Sequence, residues 1–262
     1  MRENEARIWR WSQPRKAVVS ETGMVRSMDA YWLEQTEADV PAGNHWLSTG
    51  EQFCLGRLRF EKRRTDWRLG RWTAKRAVAS FLNLPADAHF QDDIEIRATP
   101  SGAPEVVLFK ERADVSLSLS HRAGKALCVV GLSKATLGCD LEVVERRDHS
   151  FVTDFFTANE QRLIHRSPVD AQAMLATLLW SAKESALKAL RVGLRLDTTS
   201  LDVSFTDDAL VEGKYSRQDD CAVWSPLVLR FIGGKVLRGC WRCANDVVRT
   251  VVFNPSKTGL RC

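Results

Sequence analysis

The hydrophobic pattern of this chain switches between two periods. From Thr65 to Leu82, Leu69, Trp72, Ala79 and Leu82 recur at the spacing of a helix core face. Arg64, Arg68, Arg71 and Lys75 recur every three or four residues and form one basic stripe along this helix and its entry. A solvated face and a phosphate-binding face both fit that stripe. "LNLPADA" ends the helix, "DIEIRA" reads as a strand, and "TPSGAPEVV" reads as a turn into another. "DVSLSLSH" alternates strictly, with Val115, Leu117 and Leu119 on one side, Ser116, Ser118 and Ser120 on the other, and His121 at the strand end. "ALCVVGL" is a continuous apolar run, the mark of a strand covered on both faces. In "LGCDLEVV" Asp140 and Glu142 share one strand face, while Cys139, Leu141 and Val143 point away.

Beyond Val143 the period returns to that of a helix. Thr157 and Glu160 form a capping box in "FFTANEQ", and a short helix follows. "SPVD" predicts a second start, with Ser167 as cap, Pro168 in the first turn and Asp170 closing another box. This helix runs through Leu190, with Leu175, Leu179, Ala182, Ala186 and Ala189 as its apolar stripe. Trp180, Glu184, Lys188 and Arg191 lie on a different face. Strands are predicted at "LDVSF", "PLVLRFI" and "TVVFN". Helix followed by strands occurs twice, so the fold class is α+β, with two pseudo-equivalent α/β halves. They span residues 1–135 and 136–262 and meet near residues 133–138, without a strong sequence repeat. Residues 1–45 show few periods; with Trp9, Trp11 and Trp32 they read as an extended arm packed on the domain.

Composition narrows the partners. In 262 residues, 44% are hydrophobic and 27% charged, which excludes a largely disordered chain or a coiled coil. The net charge of +5 suits an anionic ligand or an acidic partner without requiring nucleic acid. Seven scattered cysteines make an odd number and no disulfide framework. "CWRC", Cys240 to Cys243, lacks a second Cys/His pair, so its thiols read as structural. His45, His89, His149 and His165 lack metal-ligand spacing. Trp72 and Trp180 read as core anchors. No apolar signal core or membrane-spanning run is present, and the expected compartment is the cytoplasm, with no membrane partner.

Three acids carry the candidate chemistry. Asp140 and Glu142 offer two hard oxygen ligands at one spot, and Glu184 offers a third, as magnesium prefers. Nearby lysines would hold phosphate oxygens. The bland alternative is a surface pair, since Glu184 and Lys188 stand at i,i+4 in the favourable order.

Taken in order, "LGCDLE", "FFTANE" and "WSAKESALKAL" resemble the motif set of the 4'-phosphopantetheinyl transferases. "SLSLSH" resembles that family's strand-end Ser-His motif, "PSGAP" its Gly-Lys-Pro turn, and "LSTGEQFCLGRLRFEKRRTDWRLGRWTAKRAV" its N-terminal helix region. The likeness covers about residues 47 to 196, and the length fits the larger Sfp-like class, with both halves in one chain. The resemblance implies Mg2+-dependent transfer of phosphopantetheine from coenzyme A to a serine of an apo acyl, polyketide or peptidyl carrier protein, with release of 3',5'-adenosine bisphosphate. It implies Asp140, Glu142 and Glu184 as metal ligands, and Glu184 and Lys188 as catalytic residues. Ser120, His121, Lys183 and Lys188 would contact coenzyme A, joined by Arg64, Arg71 and Lys75. A monomer is expected. Two departures stand out. Ala103 replaces the lysine of the turn, with Arg122 or the basic stripe as candidates to compensate, and Arg191 stands where a glycine is common.

Two other readings use the same residues. A metal-dependent nuclease would also employ paired carboxylates and a lysine, although the basic residues form no long patches with interleaved aromatics. A non-catalytic binder of coenzyme A or carrier protein would not need the acids.

Overall fold

The computed structural model describes residues 7–8, 30–84, 91–132, 136–205 and 224–254. Trp9, Trp11, His89, Cys221, Cys262 and residues 133–135 of the expected junction lie outside them.

The first half holds β1 (Arg7–Ile8), β2 (Tyr31–Thr36), α1 (Thr49–Gly56), α2 (Glu61–Phe81), β3 (Ile94–Ala98), β4 (Pro104–Leu108), β5 (Glu111–Arg112), β6 (Val115–Arg122) and β7 (Lys125–Leu132). The second holds β8 (Leu137–Val143), α3 (His149–Phe155), α4 (Ala158–Arg166), α5 (Val169–Leu190), β9 (Leu201–Phe205), β10 (Ser225–Phe231), β11 (Val236–Ala244) and β12 (Val247–Phe253). One sheet has the order β1-β2-β7-β6, with a small β3-β4-β5 sheet beside it, and the other has the order β8-β12-β11-β10-β9. Every pairing among the described residues is antiparallel. Helix α2 packs on β2, β6 and β7; helix α5 packs on β8 and β12.

The two halves repeat one device. Ser48 and Glu51 form a capping box at α1, as Thr157 and Glu160 do at α4. Each glutamate's second oxygen accepts a strand amide, Ile96 N–H at 3.0 Å and Val203 N–H at 2.8 Å. Each is also paired with a fully buried lysine of the long helix, Lys75 with Glu51 at 2.5 Å and Lys183 with Glu160 at 2.8 Å. Gln52 and Gln161 then bond the carbonyls of Leu47 and Phe156. The sequence carries this repeat faintly, as "WTAK" from Trp72 and "WSAK" from Trp180.

Several expectations change. The segment before residue 45 contains strand β2, whose Tyr31 and Leu33 enter the α2 core while Trp32 enters the seam between the halves. Burial on both faces hides its period. Ser167 does not cap α5. It ends α4 and returns its hydroxyl to the Leu163 carbonyl, so α5 starts at Val169 after Pro168 without a side-chain cap. The α5 stripe widens to near-complete burial over Met174–Leu179, because α5 also contacts α4. Strand β11, which carries Cys240 and Cys243 as buried thiols, was not anticipated. Trp72 stacks edge-on with Trp46 at 5.1 Å, and Trp180 packs against Phe151 and Phe155 at 5.0 and 5.1 Å.

Candidate active site at the seam between the halves

The serine face of β6 meets β8. Ser116, Ser118 and Ser120 are buried, and Ser118 Oγ accepts from the Cys139 amide at 2.9 Å. Two residues on, Ser120 Oγ donates to Asp140 Oδ1 at 2.8 Å. Asp140 therefore lies on the seam and is only 3% exposed.

Helix α5 closes the seam from the other side. Its small residues Ser181 and Ser185 bond Thr250 of β12, drawing the helix onto the sheet. Lys188 Nζ donates to Asp140 Oδ1 at 2.7 Å and to the Cys139 carbonyl at 3.1 Å. Burial opposes its charge, but Asp140, Cys139 and Glu184 outweigh this and raise its pKa. Glu184 lies one helical turn earlier, half-buried. Burial, and then the charge of Asp140, raise its pKa, while Lys188 pulls the other way. Glu142 is raised chiefly by burial and next by Asp140, with Arg122 and Arg147 opposing.

Two carboxylate oxygens are buried here without a hydrogen-bond partner, Asp140 Oδ2 and Glu142 Oε2. Unsatisfied buried acceptors are costly, and hard anionic oxygens on one strand face suit a divalent cation. Asp140 and Glu142 therefore fit such an ion. No group of three His, Cys, Asp or Glu side chains forms a ready metal cage among the described residues; Glu184 is near enough to Asp140 for that charge to raise its pKa.

His121, the residue before the end of β6, lies near enough to Lys188 to feel its charge. Desolvation lowers its pKa; Asp66 opposes this, and Lys188 and Lys62 reinforce it. Gly70 of α2 faces Leu119 and His121, where an added Cβ would come within 3.1 Å of Leu119.

The basic residues divide sharply. Lys183 is 0% exposed and donates to the Thr198 and Leu201 carbonyls, both at 2.7 Å, besides pairing with Glu160. An ammonium has three protons, and all are used, so Lys183 has none for a coenzyme phosphate. Lys75 is the same case: it is 0% exposed, with Glu51 and the carbonyls of Trp46 and Gln91 as partners. The expected roles of both lysines are corrected to structural ones. Arg71 is mostly buried against Trp67 and Glu51, and burial lowers its pKa. Arg68 binds the carbonyls of Pro41, Ala42 and Gly43, and Arg64 pairs with Glu61. The stripe thus fastens the chain before α1 and the turn into α2 instead of forming an open phosphate face. Two arginines that sequence reasoning did not place at the acids do approach them. Arg122 and Arg147 lie 3.6 and 3.9 Å from Glu142 Oε2, and adjacency to His121 was the available signal for Arg122.

Residues 136–236 match the family model of the 4'-phosphopantetheinyl transferase superfamily. A 4'-phosphopantetheinyl transferase, gsp, of Aneurinibacillus migulanus is 23% identical over 158 residues, 60% of this chain and 62% of that protein. The putative 4'-phosphopantetheinyl transferase slr0495 of Synechocystis is 25% identical over 187 residues, 70% of this chain and 72% of that protein. Among solved structures, the holo-(acyl-carrier-protein) synthase of Bacillus anthracis in complex with CoA (3',5'-ADP) aligns over 39% of this chain and 93% of its own, at TM-score 0.34 and 22% identity. The Helicobacter pylori holo-[acyl-carrier-protein] synthase in complex with coenzyme A aligns over 40% and 99%, at TM-score 0.28 and 24% identity. Residues 136–236 of this chain are thus similar to the 4'-phosphopantetheinyl transferase superfamily, and both relatives carry that family's name. The match spans about three fifths of the length of the Aneurinibacillus relative. No helix among the described residues is long and apolar enough to cross a membrane.

Proposed function

We propose that this protein transfers the 4'-phosphopantetheine group of coenzyme A to a serine hydroxyl of an apo carrier protein, as a single-chain enzyme of the Sfp-like class with halves 1–135 and 136–262. The observation that carries the reading is the seam itself. Asp140 is held by Ser120 of one half and Lys188 of the other, with an unpartnered oxygen left on both Asp140 and Glu142.

The serine oxygen bonds to the phosphorus that bears the pantetheine, the diphosphate bridge breaks, and 3',5'-adenosine bisphosphate leaves. Such a transfer is mostly positioning and charge neutralisation. Asp140 and Glu142, with Glu184 beside them, would hold Mg2+, which lowers repulsion around the diphosphate and stabilises the leaving phosphate. Lys188 spends two of its three protons on Asp140 and the Cys139 carbonyl, which leaves one for a phosphate oxygen. His121 stands at the strand end to meet another phosphate. Glu184 has a raised pKa, which suits a group that takes up the serine proton near neutral pH.

Intact-protein mass spectrometry tests this directly. Apo carrier proteins of acyl, polyketide and peptidyl type are incubated with the enzyme, coenzyme A and Mg2+. A phosphopantetheine-sized mass gain that chelator abolishes is expected. A folded enzyme that modifies none of them would sink the reading.

A further inference from the structure

We propose that Arg122 is a movable counter-charge, resting on Glu142 while the site is empty and passing to a ligand phosphate oxygen when it fills. This inference rests on reading Asp140 and Glu142 as the divalent-cation and diphosphate site. Arg122 is the last residue of β6, next to a tight turn in which Ala123 and Gly124 both have positive φ, 49° and 71°. Its side chain reaches from the first half to the second. Nη2 donates to Glu145 Oε1 at 3.0 Å, and Nε lies 3.6 Å from Glu142 Oε2. The second distance is too long for a hydrogen bond, and that oxygen has no hydrogen-bond partner at all. Arg122 therefore acts on Glu142 through its field and does not clamp it.

The neighbouring arginine shows the contrast. Arg147 also reaches Glu142 Oε2, but its side chain is 17% exposed and lies over the Phe151 ring. The Arg122 side chain is 46% exposed, and among the described residues its hydrogen-bonded anchor is Glu145. It can turn about that anchor without unpacking a core. A divalent cation at the acid pair repels a guanidinium this close to its ligand, whereas a diphosphate attracts it. Arg122 then opposes the cation when the cation arrives alone and supports it when it arrives with an anion. Cation and coenzyme binding become coupled through one side chain, and the coupling is reciprocal.

The test is Mn2+ binding to the full chain, read by electron paramagnetic resonance, first alone and then at saturating coenzyme A. Arg122→Gln should bind Mn2+ alone about two- to fivefold more tightly than the wild type, the range of an exposed ion pair. The gain in Mn2+ affinity caused by coenzyme A should shrink in Arg122→Gln and persist in Glu145→Gln. Equal Mn2+ affinity and equal coupling in wild type and Arg122→Gln, with both ligands bound, would overturn the counter-charge alone. Absence of Mn2+ binding to the folded wild type, with or without coenzyme A, would overturn the counter-charge together with the site on which it rests.

Discussion

A Cβ added to Gly138 would lie 1.8 Å from the carbonyl oxygen of Ser185 and 2.6 Å from the amide nitrogen of Ala189. Gly138, Asp140 and Glu142 alternate along β8 and share a face. The missing side chain at the first lets the backbone of α5 rest on the strand, and that contact sets Lys188 at 2.7 Å from Asp140. Gly138→Ala must push helix and strand apart. We expect it to cost about 3 kcal/mol, the upper range of overpacking, and to abolish transfer. Chemical denaturation and the carrier assay check this; wild-type stability with full activity would refute the close approach.

Lys183 and Lys188 stand on one helix but should behave oppositely. Lys183→Met leaves the buried Glu160 carboxylate with the Thr157 and Val203 amides but without its counter-charge, which costs about 3–5 kcal/mol. Lys188→Met should fold, since the Lys188 side chain is 29% exposed where that of Lys183 is 0%, and Asp140 keeps Ser120; it should lose coenzyme affinity and transfer. Thermal unfolding and calorimetric titration with coenzyme A separate the two. A stable Lys183→Met protein with weakened coenzyme binding would return Lys183 to the site.

Arg191 takes the left-handed conformation at the end of α5, with φ of 57°, where glycine is the usual choice. The geometry is retained at a cost of about 1 kcal/mol for a side chain there. Arg191→Gly should therefore stabilise the protein and raise Tm by about 2–4 °C. Differential scanning calorimetry decides it; a lower Tm would mean that the arginine side chain holds something the backbone does not.

His121 offers a pH signature. Its pKa in the folded protein lies below the ordinary histidine value, chiefly through desolvation. Its stabilising contribution is thus present above the ordinary value of about 6.5 and is lost as pH falls through the lowered one. A coenzyme phosphate beside it favours the charged ring, so binding near neutral pH should take up a proton. Calorimetry in two buffers of different ionisation enthalpy should show this uptake in the wild type and not in His121→Gln. Equal heats in the two buffers for the wild type would remove the ring from the phosphates.

Much of the seam was legible because its elements obey a strict period. The alternation of "SLSLSH" and "LGCDLE" set which side chains share a face, and Ala-rich α5 announced a helix. What that alternation could not reveal is what the serines face, since pairing across the two halves is a tertiary fact. The burial of the two lysines is hidden from the sequence for a related reason. Lys75 sits on an arginine-rich stripe that looks solvated, yet its aliphatic stem carries the ammonium inward to Glu51, a residue already occupied by a capping box. The repeated pairing of S-x-x-E-Q or T-x-x-E-Q with Trp-x-Ala-Lys was the available signal, and reading it would have moved both lysines to the core. Strand β11 was hidden by exposed Arg238, by Arg242, which is half-buried over the Trp32 and Trp224 rings, and by burial of consecutive residues from Gly239 to Trp241.

The three acids should separate by their surroundings. Asp140 is tied from both halves and has one unpartnered oxygen, so Asp140→Asn weakens the cation site and the hold on Lys188 together. We expect a loss in kcat of about a hundredfold or more, the scale for removing one preorganised electrostatic group. Glu142→Gln keeps the shape but removes the charge that Arg122 and Arg147 oppose, so its main effect should be weaker Mn2+ binding, recovered in part at high metal concentration. Glu184 is half-buried, and burial and the Asp140 charge raise its pKa. If its task is to receive the serine proton, Glu184→Gln should lower kcat while Mn2+ affinity stays near that of the wild type, and the basic shape of the pH–rate profile should change. A Glu184→Gln protein that loses Mn2+ affinity as fully as Asp140→Asn would instead make Glu184 a ligand drawn in by the cation. Metal titration and steady-state rates on the same three variants distinguish these outcomes, since a ligand and a proton acceptor fail in different columns of the same measurement.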